Sequence, residues 1–145
     1  MNDLISSVWS ELGKTRQRKI LLCVMYREWQ YMDQSDDTSS SIEAQLHRWI
    51  SFLSQWETAI QEGREICVLG DTNLNYFHWF NQNQQIPAHS RKLQPLVMQI
   101  FERIIPHGFV QLVKVATRIV KGQEPSCLDH IYTNHPEKYS NIETH

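Results

Sequence analysis

The sequence is poor in cysteine, nearly balanced in charge and free of long apolar runs. Only Cys23, Cys67 and Cys127 occur, an odd number at wide spacing. That argues against a disulfide framework or a zinc cluster and for buried thiols in a reducing compartment. The formal net charge is −2. A chain that grips nucleic acid by bulk electrostatics is usually more basic, so a nucleic-acid role must rest on a local site. No apolar run is long enough to span a membrane, and no secretory signal is visible. The expectation is a soluble protein inside the cell, nuclear or cytoplasmic, without a membrane partner. No internal repeat is visible. What remains is 145 residues, 41% hydrophobic and 21% charged, enough for one globular domain, residues 1–145, with a real core.

The chain is organised around Ile66-Cys67-Val68-Leu69-Gly70-Asp71-Thr72-Asn73-Leu74-Asn75. Its first half is a short apolar run rich in strand formers, which predicts a buried strand. The run stops at Gly70 and polar residues follow at once. In an open α/β sheet, chemistry gathers at the carboxyl ends of strands. Asp71 there can accept a proton or hold a water, and Asn73 can donate to a phosphate oxygen without adding negative charge. If the strand continues that far, Asp71 and Asn73 share a face. The same four residues are also good turn chemistry, because Asp and Asn bond their own backbone and tolerate left-handed angles.

Around this strand the chain reads as alternating elements. Residues 1–12 carry Leu4, Ile5, Val8, Trp9 and Leu12, ambiguous in period and read as a strand. Lys14, Arg16, Arg18 and Lys19 form a basic turn. Ile20 to Tyr26 is a near-continuous apolar run, as in a central strand buried on both faces. It ends in Tyr26-Arg27, a phenol and a guanidinium that can both hydrogen-bond a phosphate. Asp33, Asp36 and Asp37 lie in a polar loop and read as solvated acid. A cap near Ser41 opens an amphipathic helix with Leu46, Trp49, Ile50, Leu53, Trp56 and Ile60 at helical spacing, stopped by Gly63. Trp49, Phe52 and Trp56 form an aromatic stripe of core type. A helix between two strands permits a parallel pair.

Tyr76 to Ser90 is a loop whose aromatics, Tyr76, Phe77, Trp79 and Phe80, suit either stacking on bases or packing on the domain. Leu93 to Ile105 predicts a second helix, ended by Pro106-His107-Gly108. Phe109 to Val113 is a short strand, and Gly122 to Pro125 a hairpin-type loop. In Ser126-Cys127-Leu128-Asp129-His130-Ile131-Tyr132-Thr133-Asn134, strand alternation puts Asp129 and His130 on opposite faces. A charged group in such a strand wants a partner, a histidine or a cation.

Taken in order, Tyr26-Arg27, Gly70-Asp71-Thr72-Asn73, Thr117-Arg118 and the Ser126 to Asn134 stretch resemble the endonuclease/exonuclease/phosphatase superfamily. The likeness is closest to the endonuclease domain of non-LTR (LINE-type, jockey-like) retrotransposons, which are similar to apurinic/apyrimidinic endonucleases and DNase I. Val8-Trp9-Ser10-Glu11-Leu12 also resembles the strand before the tyrosine in those domains.

The resemblance implies a DNase I-like four-layer α/β sandwich. This chain would supply its second half and one or two strands of its first, leaving an unpaired sheet edge. It implies a DNA phosphodiester substrate and a magnesium or manganese ion. Asp71 would orient or deprotonate the attacking water, Asn73 would bind the scissile phosphate and Tyr26 would contact it. Asp129 would orient a catalytic histidine. Arg27, Thr117 and Ser126 would lie on the substrate side.

The family also has an asparagine and a metal-binding glutamate on strands before the tyrosine, and a late Ser-Asp-His. Asn2 and Glu11 stand in the wrong context, and Asn141-Ile142-Glu143-Thr144-His145 does not show the late motif. His130 belongs to the earlier motif and is not the family's catalytic histidine. No metal ligand is therefore assigned, and the chain alone is expected to have little or no nuclease activity. Two other readings remain. One is a non-catalytic remnant that binds nucleic acid or protein through residues 76–80. The other is a phosphatase of the same superfamily acting on small phosphoesters.

Overall fold

Strand β2, Ile20–Arg27, is the centre of the first half of a five-stranded mixed sheet. The computed structural model describes residues 5–13, 19–28, 39–79 and 86–139. The basic residues Lys14, Arg16 and Arg18, the acidic group Asp33, Asp36 and Asp37, and Phe80 lie outside these. β1, Ile5–Leu12, pairs antiparallel with β2. Helix α1, Ser39–Gln61, then crosses over, and β3, Glu65–Asp71, returns parallel to β2. Helices α2, Ala88–Lys92, and α3, Gln94–Arg103, follow. The two-residue β4, Val110–Gln111, and β5, Asp129–Thr133, complete the sheet in the order β1-β2-β3-β5-β4. The fold is mixed α/β, and the five strands of the described residues form one sheet with one helical layer.

The helical layer forms because α1 buries Trp49, Phe52, Leu53 and Trp56 on one side. Trp56 meets Phe109 and Tyr132 edge-on, both at 5.3 Å between ring centroids. The Trp49 indole N–H donates to the Leu96 carbonyl at 2.9 Å, so α1 is tied to α3 by a satisfied buried polar group. The stripe read from the sequence is core. Gly63, at φ +72°, turns the chain out of α1 into β3. All three cysteines are buried and outside any disulfide. Burial, with Cys67 nearby, pushes the Cys23 thiol up to about 12, so it is inert.

β2 departs from the expectation of burial on both faces. Leu21, Cys23 and Met25 face the helices and are buried, whereas Val24 and Tyr26 are about half exposed. Val8, Val24, Leu69 and Ile131 stand in one cross-strand row on the face away from the helices. A continuous apolar run says that both faces tolerate burial, and among the described residues only one of them is covered at β2. No described helix is long and apolar enough to cross a membrane.

Candidate functional site

The register of the sheet sets the site. Tyr26 is the cross-strand partner of Asp71 in the parallel pair β2–β3, and Asp71 is the partner of Asp129 in the antiparallel pair β3–β5. Directly paired residues point to the same face. A phenol and two carboxylates therefore stand side by side at the carboxyl end of β3, away from the helices. Ser6 extends the row through its pairing with Tyr26. Tyr26 and Asp129 are exposed and Asp71 is half-buried. Among the described residues, no histidine faces Asp129; its side chain is exposed and its cross-strand neighbour is another acid, Asp71.

Gly70 explains why the acid follows a glycine. Its φ is +150°, and a Cβ there would sit 1.8 Å from the Met25 carbonyl oxygen. β3 approaches β2 too closely at this point for any side chain. The strand ends at Asp71, and Asn73 takes φ +51°. The Asp71 carboxylate accepts the Asn73 backbone N–H at 3.0 Å, an Asx turn. The turn reading of this stretch describes the structure, and the turn is built by the acid at the end of β3. The strand alternation expected to unite Asp71 and Asn73 does not reach Asn73. Its side-chain amide instead donates to the Arg27 carbonyl at 2.7 Å.

Burial raises the Asp71 pKa, and the charge of Asp129 adds to this. The Asn73 N–H, Arg27 and Arg118 oppose it. A carboxyl held high by burial and a like charge is the electrostatic pattern of a candidate base.

The remaining site candidates take other places. Arg27 lies on the helix face, 2% exposed. Its guanidinium donates to the Thr72 carbonyl at 3.4 Å and to Gln45 Oε1 at 3.0 Å. It braces the turn from beneath and does not share the face of Tyr26. The Thr117 hydroxyl accepts the backbone N–H groups of Leu128 at 2.9 Å and Asp129 at 3.1 Å. It clamps the start of β5. Ser126 forms an antiparallel bridge with Arg118 that closes this hairpin. Asp129 and His130 face opposite sides as strand alternation requires, with His130 1% exposed on the helix side.

The sequence reading left two residues of the site unassigned. Ser6 depends on the β1–β2 register, which the sequence does not print. Arg118 follows Thr117 directly, and its charge reaches Asp71. In the 76–79 segment, Tyr76 and Trp79 pack on His130 at 5.8 and 5.2 Å between centroids, and Trp79 also meets Phe101. The packing alternative describes these two rings. Among the described residues, no three His, Cys, Asp or Glu side chains converge as ligands for a metal ion. These residues do not form a complete metal site by themselves.

The fold and rim define a mixed α/β domain with an acid-and-phenol row at a strand end. No protein-family model matches the chain, and no curated protein is significantly similar to it. Among solved structures, the chain is similar to the endonuclease domain of TRAS1, a telomere-specific non-LTR retrotransposon. The identity is 17% and the TM-score 0.45, over 87% of this chain and 47% of that one. The chain thus spans about half the length of the structure it matches.

Proposed function

We propose that the Tyr26–Asp71–Asp129 row is the phosphodiester-facing part of a DNA endonuclease site of the endonuclease/exonuclease/phosphatase type. The observation that supports it is the register, which sets these three side chains next to one another on one face. Asp71 acts on the attacking water, its raised pKa suiting it to accept a proton. The Tyr26 hydroxyl donates to a phosphate oxygen. The Asn73 amide spends one N–H on Arg27 and keeps a second for the substrate. Arg118 offsets the two acids, which would otherwise repel a phosphate. Asp129 keeps the role that the resemblance implies, orienting a histidine, for which the described residues offer no candidate on that face.

Magnesium or manganese stays with this reading as an implication of the family resemblance, and no step is derived through it. The asparagine, glutamate and Ser-Asp-His of the resembled family have no counterpart in these 145 residues. The chain alone is therefore slow or silent.

The test is a titration of the ¹⁵N-labelled chain with a short DNA duplex in magnesium buffer. Chemical-shift changes are expected to centre on Asp71, Asn73, Arg118 and Asp129, and to weaken at those positions in Tyr26→Phe spectra. Changes centred on Tyr76 to Trp79 would transfer the binding to the aromatic segment and overturn the assignment. In a parallel plasmid-nicking assay, any magnesium-dependent nicking should disappear in Asp71→Ala. Nicking that survives that substitution would sink the catalytic role given to Asp71.

A further inference from the structure

We infer that His130 is a positioning residue, which ties the Thr72 turn to β5 from the helix side and so fixes the spacing of Asp71 and Asp129 on the open side. The functional meaning rests on the phosphodiester reading, while the tie itself does not. Thr72 directly follows Asp71, and His130 directly follows Asp129. Strand alternation sends the two acids one way and these two neighbours the other. Thr72 and His130 then meet beneath the rim, with Thr72 Oγ1 3.3 Å from His130 Nδ1 and 3.4 Å from Nε2.

The imidazole is held on every side. Nε2 lies 3.1 Å from the Cys127 carbonyl and Nδ1 lies 2.9 Å from the Tyr132 hydroxyl. A carbonyl only accepts, so Nε2 carries the hydrogen and Nδ1 accepts from the phenol. Tyr76 and Trp79 close over the ring edge-on. Opposite His130 across the strands is Gly70, which adds no side chain to the space.

Thr72 is equally committed. Its hydroxyl hydrogen lies between two acceptors, the Leu128 carbonyl at 3.0 Å and His130 Nδ1 at 3.3 Å, and its oxygen accepts the Leu74 N–H at 3.2 Å. The Thr72 N–H donates to the same Leu128 carbonyl at 2.9 Å. Each of these partners lies on one of the two segments that carry the acids. A phenylalanine at 130 could fill the volume between Tyr76, Trp79 and Tyr132 but would lose the contacts of the ring nitrogens with Cys127, Tyr132 and the Thr72 hydroxyl. Burial lowers the His130 pKa to about 4, which keeps the ring neutral at physiological pH.

The test needs neither DNA nor metal, so its outcome is independent of nuclease activity. Amide hydrogen exchange and ¹H–¹⁵N spectra are recorded on the 145-residue chain, on His130→Phe and on Thr72→Val. Both variants are expected to lose at least tenfold protection at the Asn73 amide, His130→Phe at the Leu74 amide as well, and both to shift the Asn73 side-chain amide pair. Leu53 in α1 and Cys23 in β2 should keep their protection. Uniform loss across all amides would make His130 a core filler and overturn the inference. An unchanged Asn73 amide would overturn it as well. If His130→Phe does not fold, Thr72→Val decides at the Asn73 amide, whose acceptor is the Asp71 carboxylate; the Leu74 amide loses its own acceptor in that variant and does not count.

Discussion

At the scale of single residues, the rim depends on two positions that carry no reactive group. Gly70 lets β3 lie against β2 where a Cβ would meet the Met25 carbonyl at 1.8 Å. Gly70→Ala must therefore part the two strands or break the turn at Asp71. The expected loss is more than about 1 kcal/mol, above that of an ordinary glycine replacement, read by urea denaturation. A stability within 0.5 kcal/mol of the parent, taken as about the noise of such comparisons, would contradict the close approach. His130 gives a second test through pH. Its folded pKa, about 4, lies below the ordinary 6.5. The unfolded chain then binds more protons between those values, and stability falls as pH drops from 6.5 toward 4. The contribution present above pH 6.5 is about 3 kcal/mol by linkage. His130→Phe should flatten this slope, measured as the denaturation midpoint against pH. Asp71, raised chiefly by burial, works in the opposite sense and is present in both proteins. An equal slope in the two proteins would show that His130 is not the group responsible.

At the scale of elements, much was legible in the sequence because the signals were local and periodic. The 3.6-residue stripe in α1, the apolar run of β3 and the opposed faces of Asp129 and His130 all followed from spacing. The same alternation carried a warning about Tyr26-Arg27, since two neighbours on a strand cannot both face one site. The structure keeps Tyr26 on the rim and sends Arg27 under the turn. The left-handed Asn73 was harder to see, because Asp-Thr-Asn fits a strand or a turn until the neighbouring strand is in place. The Asp71–Asp129 pairing joins residues 58 positions apart, a long-range contact no local pattern fixes. α1 itself is open to a direct test. Trp56 is 1% exposed, between Phe109 and Tyr132. Trp56→Ala should cost about 3–5 kcal/mol, the usual price of emptying such a site, measured in denaturant. A loss under about 1 kcal/mol would show that α1 packs on the sheet by other contacts.

At the scale of the whole molecule, the described residues cover the sheet unequally. The helix side carries the aromatic core, while the other side carries the polar row and, one step down the strands, the apolar row. Val8 is 66% exposed and Val24 48% exposed in that second row. Composition could not reveal this, because valine on a covered or an open strand face reads alike. A strip of adjacent apolar side chains on a flat sheet face presents a binding surface for apolar dyes. The native chain is therefore expected to enhance anilinonaphthalene sulfonate fluorescence at neutral pH, below its unfolding transition. Val8→Thr combined with Val24→Thr keeps β-branched side chains in the strands but adds hydroxyls to the strip. The double variant should lower dye fluorescence at least twofold and leave the denaturation midpoint nearly unchanged, because neither side chain is part of the core. If stability fell with the fluorescence, the two valines would be packed in solution, and the open face described for this sheet would be covered there.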